Sequence, residues 1–230
     1  MFLRKGDEMN IVICGINGAM GQVLEQELKT YENINYIGSL SPRNGNVGQH
    51  IKEKVHVIID FSNPANLDFL IEYAMKNNSA LLICTTGYTN EQKNKIIEAG
   101  KNIPVLLSSN TSIGINVFRK ILKTISAELN GFDINIIEKH HNKKKDAPSG
   151  TAKTIAEDIM KITGKDHVDT LAMRAGTIPG EHAVIFSGVD EILEIKHTAL
   201  SKKIFARGAL DLALKLSVKD PGYYLMEDFF

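Results

Sequence analysis

Five short strand candidates, at residues 10–14, 34–40, 55–61, 80–85 and 103–108, the first of them the apolar run Ile11-Val-Ile-Cys14, are interleaved with three stretches of helical periodicity, at 19–31, 64–76 and 90–99. An apolar run without alternation suits a strand buried on both faces. Such strands taking turns with helices build a parallel sheet covered on both sides, and few other folds satisfy the pattern. The first helix carries Met20, Val23, Leu24 and Leu28 on one face, and the second carries Leu67, Leu70, Ile71 and Ala74.

The texture changes after Ser109. A longer helix is predicted over 112–129, stopped by Gly131, and then a strand over 132–141 that alternates instead of running continuously. Phe132, Ile134 and Ile136 point one way, Asp133, Asn135 and Lys139 the other. Alternation means a sheet with two unlike faces, so this is a second sheet and a domain boundary falls near residue 110. A charged loop (142–148), a helix (150–163), a hairpin of strands at 182–187 and 191–197 turning at Gly188-Val-Asp190, an amphipathic helix (201–217) and an aromatic tail complete the chain.

Composition excludes several classes. Of 230 residues, 43% are apolar and 23% charged, a globular balance far from disorder. Lys+Arg and Asp+Glu are 27 each, and a chain of zero net charge is poorly suited to a nucleic-acid backbone. No apolar run is long enough to span a membrane. The first eight residues hold no secretory apolar core and read as a frayed extension or an upstream start. Cys14 and Cys84 both lie inside apolar runs, which suits a reducing compartment, so a cytoplasmic protein is expected.

Two segments carry chemistry. Gly15-Ile16-Asn17-Gly18-Ala19-Met20-Gly21 follows the first strand and opens the first helix, where a dinucleotide fingerprint places a tight turn and backbone amides that face a pyrophosphate. The alternative is a turn that only requires positive φ. NAD sites usually carry an acid after the second strand; here Gly38-Ser-Leu-Ser-Pro-Arg43 has none. Arg43, with Ser39 and Ser41, could hold a 2′-phosphate, which leans to NADP or dual use; the plainer reading of Arg43 is a solvated loop charge.

The second segment is Glu138-Lys-His140-His141-Asn-Lys-Lys144-Lys-Asp146-Ala-Pro148-Ser149-Gly150-Thr151-Ala152. It leaves a strand and ends where a helix starts, so Ser149, Gly150 and Thr151 would offer amides and hydroxyls to a carboxylate or phosphate. Histidines and crowded lysines suit proton donation. His140 and His141 are strand neighbours facing opposite sides, so at most one points at a reacting centre. The competing readings are a solvated charge run, plain helix capping by Pro148-Ser149, and metal ligation. The last is not expected, because adjacent histidines diverge and no Cys or carboxylate cluster completes a site.

The match of this segment to Glu-x-His-His-x-x-Lys-x-Asp-x-Pro-Ser-Gly-Thr-Ala resembles the dihydrodipicolinate reductase family. Asp60-Phe-Ser62, Thr85-Thr-Gly87, Ser109-Asn110-Thr-Ser-Ile-Gly114-Ile-Asn116, Arg174-Ala-Gly176 and Gly180-Glu-His182 agree in order, so the resemblance runs from Met9 to the end. It implies a Rossmann-type parallel-sheet domain (9–109 with 203–230) and a smaller α+β domain (110–202) with a mixed open sheet that binds substrate and builds a homotetramer. It implies hydride transfer from NADH or NADPH to a cyclic dicarboxylate in lysine and diaminopimelate biosynthesis. His140 and Lys144 would handle the proton, while His141, Ser149, Gly150 and Thr151 bind substrate. Gly15 to Met20, Arg43, Cys84, Thr85, Thr86, Ser108, Ser109, Asn110 and Thr111 would hold the cofactor. Four departures stand out: no acid after the second strand, a short connection from there to the third, Cys84 where glycine is usual, and Asn63 where some members carry arginine. Two other readings are weighed: a reductase of the same plan acting on a different substrate, such as an aspartate-pathway aldehyde, and a non-catalytic NAD(P)-binding regulator.

Overall fold

The computed structural model of the chain describes residues 8–230. Most of the extension read as frayed therefore lies outside the described residues; Glu8 accepts a hydrogen bond from Asn35 Nδ2 at 2.6 Å. The chain divides into two compact units, one ending at Ser112 and completed by Phe205–Phe230, the other spanning Ile113–Ile204.

In the first unit, β1 (Met9–Cys14), α1 (Ala19–Leu28), β2 (Ile34–Leu40), β3 (Val57–Asp60), α2 (Leu67–Asn77), β4 (Ala80–Ile83), α3 (Asn90–Ala99) and β5 (Pro104–Leu107) follow in order. With β10 (Gly222–Tyr224) they form a six-stranded sheet ordered β10-β5-β4-β3-β1-β2, parallel throughout. Continuous apolar strands are explained by two cores. Ile11, Ile13, Val57, Ile59 and Leu82 pack with Leu24 of α1 and Ala209, Leu212, Ala213 and Leu216 of the final helix. Val12, Ile58, Leu81, Ile83 and Val105 pack with Leu67, Leu70 and Ala74 of α2 and Ile96 of α3. Every second side chain goes to each side, so the central strands β3 and β4 are apolar until they end.

The second unit contains α4 (Ile113–Glu128), β6 (Asp133–His140), α5 (Gly150–Thr163), β7 (Asp169–Arg174), β8 (Gly180–Ser187) and β9 (Ile192–Ala199). The last helix, α6, runs Lys203–Leu216. The sheet order is β7-β6-β8-β9, with β7 parallel to β6 and the other pairs antiparallel, a mixed open sheet as expected. Ile134 and Ile136 of β6 pack with Phe118 and Leu122 of α4, Ile155 and Ile159 of α5, and Phe186 of β8. Burial along β6 alternates strictly, and the buried register continues past Ile136 to Glu138 and His140. The β8–β9 hairpin closes where Gly188 N donates to Glu191 O at 2.9 Å, with Asp190 at φ 62°. Two strands were not expected. Edge strand β7 is mostly exposed and shows no apolar alternation, and β10 is three residues long within the aromatic tail. No helix among the described residues is long and apolar enough to cross a membrane.

Candidate active site

In the first unit the glycine turn is fixed by sterics. Gly15 has φ 92°, and a Cβ there would lie 2.4 Å from Phe61 O at the end of β3. A Cβ on Gly21 would meet Gly15 O at 2.2 Å, so α1 can start only over a bare turn. Gly18 N donates to Gly15 O at 3.0 Å, and Gly18 is the N-cap of α1, with no side-chain cap. Asn17, Gly18 and Ala19 are exposed, Ile16 and Met20 partly so. A helix opening without a side-chain cap on a glycine turn is the cradle a pyrophosphate needs, so the residues present fit a dinucleotide.

The other expected cofactor residues lie past the carboxyl ends of neighbouring strands of this sheet. Arg43 is exposed on a 3₁₀ turn, Pro42–Asn44, just after β2, and residues 38–47 contain no acid. Thr85 is buried and Thr86 exposed after β4. Cys84 is 8% exposed and packs with Ile59, Leu82 and Leu106, so its sulfur belongs to the core, and burial pushes its thiol well above the usual value. After β5, Ser108 Oγ donates to Asn110 O at 3.0 Å, Asn110 Oδ1 accepts from Ser112 N, and Thr111 Oγ1 donates to Phe205 O at 2.6 Å. Ser109 is exposed.

In the second unit, β6 delivers Glu138 and His140 to its buried face. Glu138, with no exposed surface, accepts four charge-assisted or backbone bonds. Arg174 at the end of β7 donates to both its oxygens, at 2.9 and 2.6 Å, and Ser149 N donates at 3.0 Å. The fourth partner is His140 Nδ1, 2.5 Å from Oε2. Burial would raise the Glu138 carboxyl, but these bonds outweigh it and hold it below the usual range. An ionised carboxylate only accepts, so Nδ1 carries the hydrogen and Nε2 is the nitrogen left for exchange.

Nε2 faces Gly180, where a Cβ would come within 3.1 Å. His140 is pushed below the ordinary imidazole value by burial first, with Lys144 and Arg174 adding to the effect and Glu138 opposing it. His182 from β8 packs edge-on against His140, ring centres 5.3 Å apart, and burial pushes it down to about 4, so it is neutral at physiological pH. Its Nε2 pairs with Ser149 Oγ at 3.1 Å, and that oxygen also caps α5 by accepting from Ala152 N at 3.2 Å.

Lys144 Nζ is 2.8 Å from Asp146 Oδ1, and Arg174 donates to Asp146 O at 2.6 Å, which ties the charged loop to β7. His141, on the other side of the strand end, takes no part in the Glu138 cluster, and its Nδ1 is buried without a partner. Gly150 and Thr151 open α5 beside Ser149. Glu138, Arg174 and His182 were not singled out as site residues. The signal for Glu138 was its register, a carboxylate two residues past Ile136 on the core-facing side of β6.

A nucleotide cradle on one unit and a buried acid–base cluster on the other belong to the class of two-domain, nicotinamide-nucleotide-dependent oxidoreductases. Comparison with known proteins takes the class to a family. The chain belongs to the dihydrodipicolinate reductase family: models of its N-terminal and C-terminal domains match residues 9–111 and 114–230. The 4-hydroxy-tetrahydrodipicolinate reductase of Clostridium novyi is 40% identical, over 95% of this chain and 96% of its own. That of Brachyspira hyodysenteriae is 38% identical over 96% and 99%. Among solved structures, the dipicolinate-bound dihydrodipicolinate reductase of Paenisporosarcina sp. TG-14 superposes with a TM-score of 0.83 over 97% of this chain and all of that one, at 20% identity, which supports the fold.

Proposed function

We propose that this chain reduces 4-hydroxy-tetrahydrodipicolinate to tetrahydrodipicolinate in lysine and diaminopimelate biosynthesis, with His140 and Lys144 handling the proton. Nicotinamide nucleotide, NADH or NADPH, supplies the hydride when bound. The turn from Gly15 to Met20, Arg43, the Cys84–Thr86 segment and Ser108–Thr111 would hold it, and the basic, acid-free segment after β2 favours a 2′-phosphate. The residues 9–109 with 203–230 are read as the nucleotide domain and 110–202 as the substrate domain.

The observation that carries the reading is the Glu138–His140 pair. It fixes one ring nitrogen and leaves Nε2 to give a proton to the carbon or nitrogen that hydride transfer makes basic. His140 is lowered in the free protein, and a dianionic substrate beside it would raise it again, so substrate itself charges the donor. Lys144, His141, Ser149, Gly150 and Thr151 would receive the substrate carboxylates, one of which takes the place Asp146 now holds on Lys144. A non-catalytic regulator would have no use for a buried, hydrogen-bonded histidine aimed this way.

The outer face of the second sheet supports self-association as a homotetramer: Leu171, Met173 and Ile192 are exposed on its edge strands. Two free, buried cysteines fit a cytoplasmic setting.

Dipicolinate, a planar dianion, tests the substrate site. Losing one charged hydrogen bond is worth about 1.5–3 kcal/mol, so Lys144→Met is expected to weaken dipicolinate by roughly 10- to 100-fold in a competition assay while NADH affinity stays put. Unchanged dipicolinate affinity would remove Lys144 from the substrate site.

A further inference from the structure

Neither hydride nor proton transfer as described uses Asp60, yet this carboxylate has no exposed surface at all. It is the last residue of β3, the strand between β1 and β4, at the edge where open parallel sheets bind their ligands. Burying a carboxylate in an apolar sheet is costly unless its bonds are well made. Here they are. Oδ1 accepts from Ser62 N at 3.1 Å and from Ser62 Oγ, and Oδ2 accepts from Tyr88 Oη at 3.3 Å.

The partners of Asp60 come from the loops after β3 and β4. Ser62 N also donates to Thr85 Oγ1 at 2.8 Å, which brings in the loop after β4. Ser62 Oγ accepts from Asn66 Nδ2 at 2.9 Å and from Cys14 Sγ at 3.3 Å, which brings in the start of α2 and the end of β1. The glycine turn rests on the same loop, because Gly15 has room only for a hydrogen against Phe61 O and Ser62 Cα. Burial raises the Asp60 carboxyl above its ordinary value, and Ser62, Thr85 and Tyr88 oppose that rise.

We propose that Asp60 is a positioning residue of the cofactor site: through Ser62, Thr85 and Tyr88 it locks the loop after β3 under the glycine turn and against Thr85, and so sets the two segments that grip the nucleotide. The inference rests on the reading of that edge as the nucleotide site. Asp60 touches no reacting atom; it acts through the segments that do.

Asp60→Asn keeps the shape but removes the charge: Oδ1 can still accept from Ser62, while Nδ2 can only donate to Tyr88 Oη, so the Tyr88 bond must reverse and every bond loses its charge assistance. In the full-length protein, D60N is expected to raise the dissociation constants of NADH and NADPH at least tenfold by fluorescence titration. In turnover, KM for the nucleotide should rise with it, while kcat at saturating nucleotide and KM for the dicarboxylate stay within threefold. That split separates positioning from general loosening, which would move all three. Ser62→Ala, which removes one arm of the network, is expected to give a smaller rise of several-fold. A folded D60N binding NADH within twofold of wild type would overturn the proposal, as would unchanged affinity in S62A should D60N fail to fold. Wild type that binds neither nucleotide would sink the underlying nucleotide reading itself, a result distinct from equal binding by wild type and variant.

Discussion

His140→Ala is expected to lower kcat by roughly 10²–10⁴-fold, the span of a general acid–base group, with NADH and NADPH still bound at wild-type affinity. The reason is geometric. Glu138 takes the Nδ1 side of the ring, His182 packs its edge against it, and Nε2 faces Gly180, where a side chain would crowd it. The pH profile carries the same prediction with a definite sign. Titration of the free protein governs kcat/KM, and His140 gives up its proton below the usual imidazole value of about 6.5. In the wild type kcat/KM therefore falls as pH rises through a group below that value, and in H140A this limb disappears. The groups facing the ring from every side are Glu138, Arg174, His182 and Lys144, so Glu138→Gln, which removes the one anion, should move the fall to still lower pH. Steady-state rates between pH 5 and 8 decide it: H140A within threefold of wild type, with the same profile, would remove His140 from the chemistry.

The second large effect is on stability. Arg174→Met is expected to cost about 3–5 kcal/mol, the usual result of stripping the partner from a buried ion pair. Glu138 has no exposed surface, and Arg174 is its bidentate counter-ion. Without the guanidinium the carboxylate keeps only His140 and Ser149 N, and burial then dominates and drives it toward the protonated form. The combined variant, Glu138→Gln with Arg174→Met, leaves no orphan charge and should recover much of the loss, a coupling that a double-mutant cycle reads directly. Urea unfolding at pH 7 measures all three. A loss under about 1 kcal/mol for R174M would mean that the pair is as weak as an exposed salt bridge.

Much of the nucleotide unit could be read from the residues. Continuous runs such as Ile11-Val-Ile13 and Val57-Ile-Ile59 have one arrangement that buries every side chain, and the structure shows its two cores. The spacing of Gly15 and Gly21 signalled a close approach, and the carbonyls at Phe61 and Gly15 are what they approach. The strands that escaped notice are those the physics does not mark. β7 lies at an edge with one partner and little burial, and β10 gains its place only by pairing with β5.

The site was legible where chemistry is local in the chain and not where it is distant. His140, Lys144 and Ser149 sit within one stretch, whereas Arg174 reaches Glu138 across 36 residues and His182 reaches Ser149 across 33. No spacing rule foretells either contact. Glu138 and Asp60 did leave a trace: each is a carboxylate at a core-facing strand position, and a buried charge demands a partner that the rest of the chain must supply.

Coupled turnover tests the central claim most directly. The protein is mixed with pyruvate, aspartate semialdehyde and the synthase that condenses them, and absorbance loss from NADH and NADPH is followed in separate cuvettes. The expected result is oxidation that requires the synthase, with NADPH at least as effective as NADH because Arg43 and an acid-free segment follow β2. No oxidation of either nucleotide by a folded protein would contradict the reductase assignment and leave a nucleotide-binding protein without turnover.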